Sequence, residues 1–336
     1  MKKSDLIISS DFDSEEAQER ADPGADVELR HLAFGAAQHG LRLDRALVEL
    51  VPEFSRSYLQ HLIDIGAVTM NGVVLSKSSV RVKAAERGII ELRPTPQSQA
   101  FKPQAMTLEI VYEDEHLMVI NKPAGLVVHP APGNWSGTLL NGLLAYDAKA
   151  MGLPRAGIVH RLDKDTSGLM VVARTRAMMD ALIRLIAAHE VDRHYLALAH
   201  RPWVGAAKRE INAPIGRDPR NRLRMALVDM NKNPGKLART DIELVQNCDQ
   251  GCLVRCTLHT GRTHQIRVHM ASIAHPLVAD VLYGGVVAAG LQRQALHADR
   301  LAFIHPATQQ PRVFQVSMPT DLKQALNQWG LSYNES

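Results

Sequence analysis

The sequence predicts an α+β protein in which a small helix-and-strand unit precedes a larger unit with a mainly antiparallel mixed sheet. Three observations predict this fold class. A chain of 336 residues is long enough for two cores. A proline-bearing segment without apolar periodicity divides it at residues 94–103. Beyond that segment, strand-like and helix-like stretches alternate in no regular βαβ order, which disfavours a parallel sheet.

Residues 41–93 predict the small unit. Apolar side chains recur there at helical spacing, at Leu43, Ala46, Leu47 and Leu50. Ser55 is a suitable N-cap for a second helix, and Gly66 is a suitable residue to end it. An Asn71-Gly72 turn then joins two short strands of a hairpin.

The segments flanking this unit differ from it in charge and composition. Residues 1–30 contain four Lys or Arg against nine Asp or Glu, so the other 306 residues carry a net charge of +9. We expect an acidic disordered tail at 1–30, a basic body that suits a polyanionic partner, and a linker at 94–103. No apolar run is long enough for a membrane span or a signal peptide, which predicts a cytoplasmic protein.

Residues 104–330 predict the larger unit. Its apolar patterns indicate strands at 108–112, 117–121, 168–174, 194–199, 238–246, 252–259, 295–304 and 311–317, and helices at 138–146, 177–189 and 263–272.

Two patterns invite a metal site, and both are better explained otherwise. Cys248, Cys252 and Cys256 are evenly spaced, but the last two alternate with polar residues as in a half-buried strand. Histidines recur without zinc-ligand spacing, at positions 160, 264, 269 and 275. We therefore expect neither a metal nor a cofactor.

A charged loop at 157–169 is the best candidate for chemistry. Its centre, His160 to Ser167, places two acids and two fixed cations between strand-like segments. An aspartate beside an arginine keeps its carboxylate form, which suits a nucleophile better than a general acid. Asp163 is the candidate nucleophile, and Asp165 more simply pairs with a cation. A salt-bridged surface turn is the alternative interpretation.

The motif His160-Arg161-Leu162-Asp163, followed by Thr166-Ser167-Gly168, resembles the RluA family of pseudouridine synthases. The resemblance extends to the segments 121–129, 261–269, 275–277 and 283–285. It implies that Asp163 is the catalytic residue and that Tyr195 and Arg267 are the active-site tyrosine and arginine. Ala279-Asp280-Val281 stands where the family usually has Gly-Asp-Pro, in a turn expected to touch no catalytic position.

The resemblance also implies a role for each residue of the site. Asp163 would attack C1′ of the ribose or C6 of the base, and the sequence leaves these two alternatives open. Arg267 would pair with Asp163 and keep it ionised, while Tyr195 would pack on the base and help to remove the C5 proton. Arg161 would fill the space left by a flipped uridine, and His160 would shape the loop.

Two further segments predict contacts with RNA. Residues 41–93 resemble the S4 RNA-binding domain, which implies phosphate contacts from Arg42, Arg45, Arg56 and Lys77. A loop or hairpin tip at 217–224 carries Arg217, Arg220, Arg222 and Arg224. Ordinary surface charge is the alternative for both sets.

Within the family, the segments 128–134 and 154–158 are most similar to the RluD group, which modifies a hairpin loop of 23S rRNA. This implies 23S rRNA or a large-subunit precursor particle as the partner of a monomeric enzyme. The alternatives are the RluC group, which modifies other 23S rRNA sites, and a non-catalytic RNA-binding assembly factor. A glycosidase-like hydrolase would need a second carboxylate flanking a sugar bond.

Overall fold

The computed structural model describes residues 27–93, 100–221 and 223–333. These residues form two compact units, and the chain passes from the first to the second between Ala100 and Phe101. Most of the expected acidic tail lies outside the described residues. The same is true of residues 94–99 of the expected linker and of Arg222.

The N-terminal unit packs two helices on a small antiparallel sheet. The helices are α1 (Leu43–Leu50) and α2 (Arg56–Asp64), and the strands are β1 (Glu28–Ala33), β2 (Val68–Met70), β3 (Val73–Leu75) and β4 (Arg87–Leu92). The strand order is β1-β4-β2-β3. Leucines of both helices, Leu43, Leu47, Leu59 and Leu62, are at most 1% exposed in the core that they share with the sheet.

Local signals at the ends of these elements behave as expected. The Ser55 hydroxyl accepts a hydrogen bond from the Tyr58 amide and so caps α2. Gly66, with φ 74°, follows the helix in the left-handed region. Asn71 and Gly72 are both left-handed, with φ values of 49° and 81°, as a tight hairpin turn between β2 and β3 requires.

The N-terminal unit begins earlier than residue 41. Strand β1 pairs with β4 along its whole length, from Glu28 opposite Leu92 to Ala33 opposite Arg87. Residues 28–30 therefore belong to a sheet, and their assignment to a disordered tail was wrong. As an edge strand, β1 buries only Leu32, so its sequence carries almost no alternation of apolar and polar side chains.

The C-terminal unit is built on one large sheet. The strands of this sheet are β5 (Ile110–Glu113), β6 (Leu117–Lys122), β7 (Ser167–Ala173), β8 (Asp192–His200), β9 (Lys208–Asn212), β12 (Arg239–Asn247), β13 (Gly251–Leu258), β14 (Leu296–Ile304) and β15 (Pro311–Gln315). Strands β10 (Ile215–Arg217) and β11 (Met225–Leu227) form a separate hairpin. The order is β5-β6-β7-β14-β8-β13-β12-β9, and β15 also pairs with β14. Among the strands that the structure describes, only β7 and β14 pair in parallel, so the predicted α+β class with a mainly antiparallel mixed sheet is confirmed.

In the described residues four α-helices accompany this sheet: α3 (Leu139–Tyr146), α4 (Arg176–Ala187), α5 (Gln265–Ser272) and α6 (Thr320–Gln328). Three short 3-10 helices lie at Ala148–Gly152, Pro154–Gly157 and Val281–Tyr283. The first three α-helices were predicted within a few residues. Helix α6 and strand β9 were not. Strand β9 buries only Ile211, whereas α6 does show the helical spacing, with Leu322, Ala325 and Leu326 all buried.

Strand β7 lies deep in the molecule and positions the loop that precedes it. All seven of its residues are buried. Met170 and Val172 pack into one hydrophobic cluster, and Leu169 and Val171 pack into another. Both faces of the strand are therefore covered, and its N-terminal end is a rigid mount. On β13, Cys252 and Cys256 are buried with free thiols, as their alternation predicted.

Candidate active site

The candidate nucleophile, Asp163, lies in a tight turn just before β7. The Thr166 amide donates a hydrogen bond to the Asp163 carbonyl over 3.1 Å. Gly168 then enters the strand with φ 114°, and a Cβ atom there would lie 2.2 Å from the Ala298 carbonyl oxygen of β14. Only glycine fits this approach. The turn is therefore docked closely against the centre of the sheet.

A buried lysine braces the same turn from the neighbouring strand. Lys122 ends β6, is 1% exposed, and donates from Nζ to the carbonyl oxygens of Pro123, Leu126 and Lys164 over 2.8, 2.9 and 3.0 Å. Burial lowers its pKa to about 7, although Asp163 and Asp165 oppose the shift. Lys122 lies in the segment 121–129 that resembles the family, but it was not predicted as a site residue.

Arg267 reaches Asp163 from α5. Its Nη1 donates to Asp163 Oδ2 over 3.0 Å. Its Nε and Nη2 donate to both oxygens of Asp280, over 2.8 and 2.9 Å. Arg267 therefore pairs with two carboxylates at once. Its side chain is 8% exposed, and that of Asp280 is only 1% exposed.

Asp280 is thus a residue of the site that the sequence analysis missed. The turn at Ala279-Asp280-Val281 was expected to touch no catalytic position, and this expectation was wrong. The Asp280 carboxylate orients the guanidinium that contacts Asp163. A nearly inaccessible carboxylate requires a charged partner, so an acid within an otherwise apolar segment was the available signal.

The surroundings of Asp163 keep it ionised. Burial alone would raise the pKa of its carboxyl, but His264, Arg267 and Arg161 together hold that pKa below its ordinary value. The side chain is still 15% exposed. A carboxylate that is charged, oriented and accessible has the properties of a nucleophile.

Tyr195 lies near this carboxylate in the middle of β8. It is 5% exposed and stands opposite Cys256 of β13. Burial raises the pKa of its hydroxyl, and the nearby charge of Asp163 adds to the effect. The phenol is therefore protonated at neutral pH.

The two residues before Leu162 have contrasting surroundings. Arg161 is exposed, and its charge contributes to the low pKa of Asp163. His160 Nε2 accepts a hydrogen bond from the Val171 amide over 3.0 Å. Burial lowers the pKa of His160 to about 3, so its ring is neutral and holds the loop against β7.

The chain is similar to known proteins. The profile of a family described as RNA pseudouridylate synthase matches residues 116–272. "Ribosomal large subunit pseudouridine synthase D" of Neisseria meningitidis serogroup B is 45% identical over 301 residues, covering 86% of this chain and 78% of that protein. The protein of the same name from Xylella fastidiosa is 46% identical over 305 residues, covering 87% and 89%.

The chain belongs to the RNA pseudouridylate synthase family. It is an isomerase that converts uridine to pseudouridine, and both the RluA-family resemblance and its RluD subgroup are confirmed. Among solved structures, human RNA pseudouridylate synthase domain containing 1 matches with a TM-score of 0.50 at 26% identity, over 65% of this chain and 86% of that one. Human RNA pseudouridylate synthase domain containing 4 matches in fold, with a TM-score of 0.53 at 24% identity over 67% and 94%.

His264 and Tyr283 also belong to the site, and neither was predicted as a site residue. His264 Nε2 lies 3.9 Å from Asp163 Oδ1, and its Nδ1 lies 2.8 Å from the Tyr283 hydroxyl. The Arg267 guanidinium lies 5.0 Å from the centroid of the Tyr283 ring. His264 was considered only as a metal ligand. Within the described ranges, no three His, Cys, Asp or Glu side chains form a group that could hold a metal ion.

The candidate RNA-binding residues of the N-terminal unit have two kinds of surroundings. Arg42 and Arg56 both donate to the buried carboxylate of Asp44, over 3.1 and 2.6 Å at the closest. They therefore help to hold this unit together, although each side chain remains more than 40% exposed. Arg45 and Lys77 are exposed on its surface.

The arginine-rich segment of the larger unit, predicted as a loop or hairpin tip, belongs to a hairpin. Strands β10 and β11 pair from Ile215 opposite Leu227 to Arg217 opposite Met225. Arg217 and Arg220 are exposed. Arg224 donates to the Asp218 carboxylate over 2.5 Å, and this contact closes the loop of the hairpin.

Within the described parts of the chain, no helix is long and apolar enough to cross a membrane.

Proposed function

We propose that this enzyme isomerises specific uridines of 23S ribosomal RNA, in an RluD-type hairpin loop, with Asp163 as the nucleophile. The observation that carries the proposal is the 3.0 Å pair between the accessible Asp163 carboxylate and the buried Arg267 guanidinium. The names of the relatives, which refer to the large ribosomal subunit, support the choice of RNA.

The reaction needs a nucleophile and proton transfer but no oxidant. The bond between C1′ and N1 of uridine breaks, the base rotates, and a bond between C1′ and C5 forms. C5 loses its proton and N1 gains one, so atoms and electrons balance. Attack by Asp163 on C1′ or on C6 divides this change into easier covalent steps, and either route uses the same ionised carboxylate.

Arg267 keeps the nucleophile ready for attack. Its pairing with Asp163 offsets the cost of burying a carboxylate, and its second pairing, with Asp280, fixes the plane of the guanidinium. The Asp163 oxygen thus points in one direction before the substrate arrives. Asp280 is a positioning residue in this scheme, because it acts through Arg267.

Tyr195 supports the base and takes part in proton movement at C5. We assign its ring, which is 5% exposed and close enough to Asp163 for that charge to act on its hydroxyl, to packing against the uracil. Because the pKa of its hydroxyl is raised by burial, no phenolate is available as a strong base at neutral pH. We therefore assign the hydroxyl to relaying the C5 proton, not to holding a charge.

The target uridine must leave its stack to reach Asp163, since the nucleophile lies in a loop docked on the sheet. Arg161 lies in that loop, exposed and two residues from the nucleophile. Its position suits a side chain that fills the space left by the flipped base. His160, neutral and bonded to β7, shapes the loop.

Two basic surfaces bind the phosphates of the RNA. The N-terminal unit is an S4-type domain with exposed Arg45 and Lys77, and Arg42 and Arg56 present their remaining N–H groups there. The hairpin of β10 and β11 presents Arg217, Arg220 and Arg224, and we propose Arg222 as a further phosphate contact on its sequence position alone. Both surfaces attract phosphate without reading sequence, and together they increase the affinity for a folded RNA.

Tritium release tests the proposed reaction and substrate. RNA labelled with tritium at uridine C5 loses the label when C5 loses its proton. We expect release from 23S rRNA and none from 16S rRNA. Release from 16S rRNA or transfer RNA alone would contradict the proposed substrate, and a parallel reaction on large-subunit precursor particles separates naked from assembled RNA.

A truncation tests whether the N-terminal unit contributes RNA affinity and the C-terminal unit contributes the chemistry. A 94–336 fragment contains every proposed catalytic residue, so we expect it to bind 23S rRNA more weakly but to turn over at saturating RNA. An equal loss of turnover would contradict the separation of binding from chemistry.

We also propose that the enzyme acts as a monomer in the cytoplasm, where its ribosomal substrate is made. Sedimentation of the full chain tests whether it is a monomer.

A further inference from the structure

Two hydrogen bonds and one close contact connect the arginine-bearing hairpin to the nucleophile. The Met225 amide of β11 donates to the Tyr283 hydroxyl oxygen over 3.0 Å. That hydroxyl lies 2.8 Å from His264 Nδ1, and His264 Nε2 lies 3.9 Å from Asp163 Oδ1. Hairpin, tyrosine, histidine and nucleophile are thus consecutive members of one chain of contacts.

The direction of these hydrogen bonds determines which nitrogen of His264 carries the proton. An amide can only donate, so the Tyr283 oxygen accepts from Met225. The remaining proton of the hydroxyl then has His264 Nδ1 as its acceptor. If Nδ1 donated instead, the tyrosine oxygen would accept twice, and its own proton would be left without this partner at a site where Tyr283 is largely enclosed.

We propose that Tyr283 is a positioning residue that locks His264 in the tautomer protonated on Nε2. In this tautomer the Nε2 proton faces Asp163 Oδ1 across 3.9 Å, whereas the Arg267 guanidinium donates to Asp163 Oδ2 over 3.0 Å. This proposal rests on the proposed role of Asp163 and adds to it two residues, His264 and Tyr283, that orient the nucleophile.

The backbone at His264 is consistent with this placement. His264 adopts the left-handed conformation, with φ 55°, directly before α5. That conformation is uncommon for a residue with a side chain and is maintained only when surrounding contacts favour it. The contact with Tyr283 is one of them. Because Tyr283 also accepts a hydrogen bond from β11, the position of the hairpin and the orientation of His264 depend on each other.

The ring nitrogens of His264 provide the first test. Nitrogen-15 NMR of the full-length wild type at mildly alkaline pH, without RNA, distinguishes the two tautomers. The spectrum of His264→Asn identifies the signals, and asparagine tolerates the left-handed backbone. We expect a proton on Nε2 and none on Nδ1, and a mixture of tautomers in Tyr283→Phe. A proton on Nδ1 in the wild type, alone or together with one on Nε2, would overturn the proposal.

Kinetics provide the second test. We expect Tyr283→Phe to lower single-turnover tritium release about fivefold, the effect of one lost hydrogen bond, with little change in KM. In a His264→Asn background the same change should cost nothing further, because Tyr283 acts through the histidine. An equal loss in both backgrounds would overturn the proposal.

Tyr146→Phe is the matched control, since the Tyr146 hydroxyl also makes a hydrogen bond, to Glu113 at 2.7 Å, on an exposed surface. It should leave both the tautomer and the rate unchanged. If the wild type releases no tritium, the proposed function fails, but the NMR experiment still decides the state of His264. The two failures are therefore distinguishable.

Discussion

Replacement of Asp280 by asparagine tests whether Arg267 requires its second carboxylate. Arg267 donates to both Asp280 oxygens, over 2.8 and 2.9 Å, and neither side chain is more than 8% exposed. Asparagine keeps one acceptor but turns an amide NH₂ group towards the other guanidinium N–H. One charge-assisted hydrogen bond is lost and a buried cation is left half-compensated, so we expect the free energy of unfolding to fall by ~3 kcal/mol.

Urea denaturation and single-turnover kinetics measure the two consequences. Alongside the lower unfolding midpoint, we expect kcat to fall at least about tenfold, because a guanidinium free to turn no longer aims Asp163. The control is Asp180→Asn, which weakens an exposed pair with Arg176 on α4 and should cost about 0.5 kcal/mol or less. Wild-type stability and rate in Asp280→Asn would refute this account of Arg267.

Three further outcomes follow from the same contacts. In Arg267→Gln, the burial of Asp163 is less fully offset, so the pKa of that carboxyl rises and the acidic limb of the kcat profile moves to higher pH; an unmoved limb would contradict the pairing. Lys122→Met removes the Nζ donor from the carbonyls of Pro123 and Leu126 and leaves that of Lys164 with the Gly125 amide, so it should lower the unfolding free energy in urea by ~2 kcal/mol, whereas unchanged stability would argue against the brace. Arg217→Ala with Arg220→Ala should flatten the slope of log affinity against log salt by about 2, and an unchanged slope would mean that these side chains do not contact phosphate.

Elements with a buried face were readable from the sequence. β13 alternates apolar and polar side chains, and β7 is a continuous apolar run, so both were predicted close to their observed bounds. The edge strands β1 and β9 were missed because their contribution is backbone pairing, which leaves little trace in side-chain pattern. Helix α6, by contrast, had a legible apolar spacing that was overlooked.

The site divides in a similar way. Asp163 was identifiable because its motif is local, within one charged loop. Its partner Arg267 stands 104 residues away, and only the family resemblance connected the two. Asp280, His264 and Lys122 could not be assigned from spacing, because each acts through contacts between distant segments. Their roles follow from burial and distance, which a pattern of residues along the chain does not contain.

The most direct test of the central claim is single-turnover tritium release from 23S rRNA labelled at uridine C5. Wild type and Asp163→Asn are each used in saturating excess over the RNA. RNA binding is measured in the same samples. The substitution removes the charge but keeps the size of the side chain, so we expect equal binding, complete release by the wild type and none by the variant. Release by Asp163→Asn at the wild-type rate would show that Asp163 is not the nucleophile.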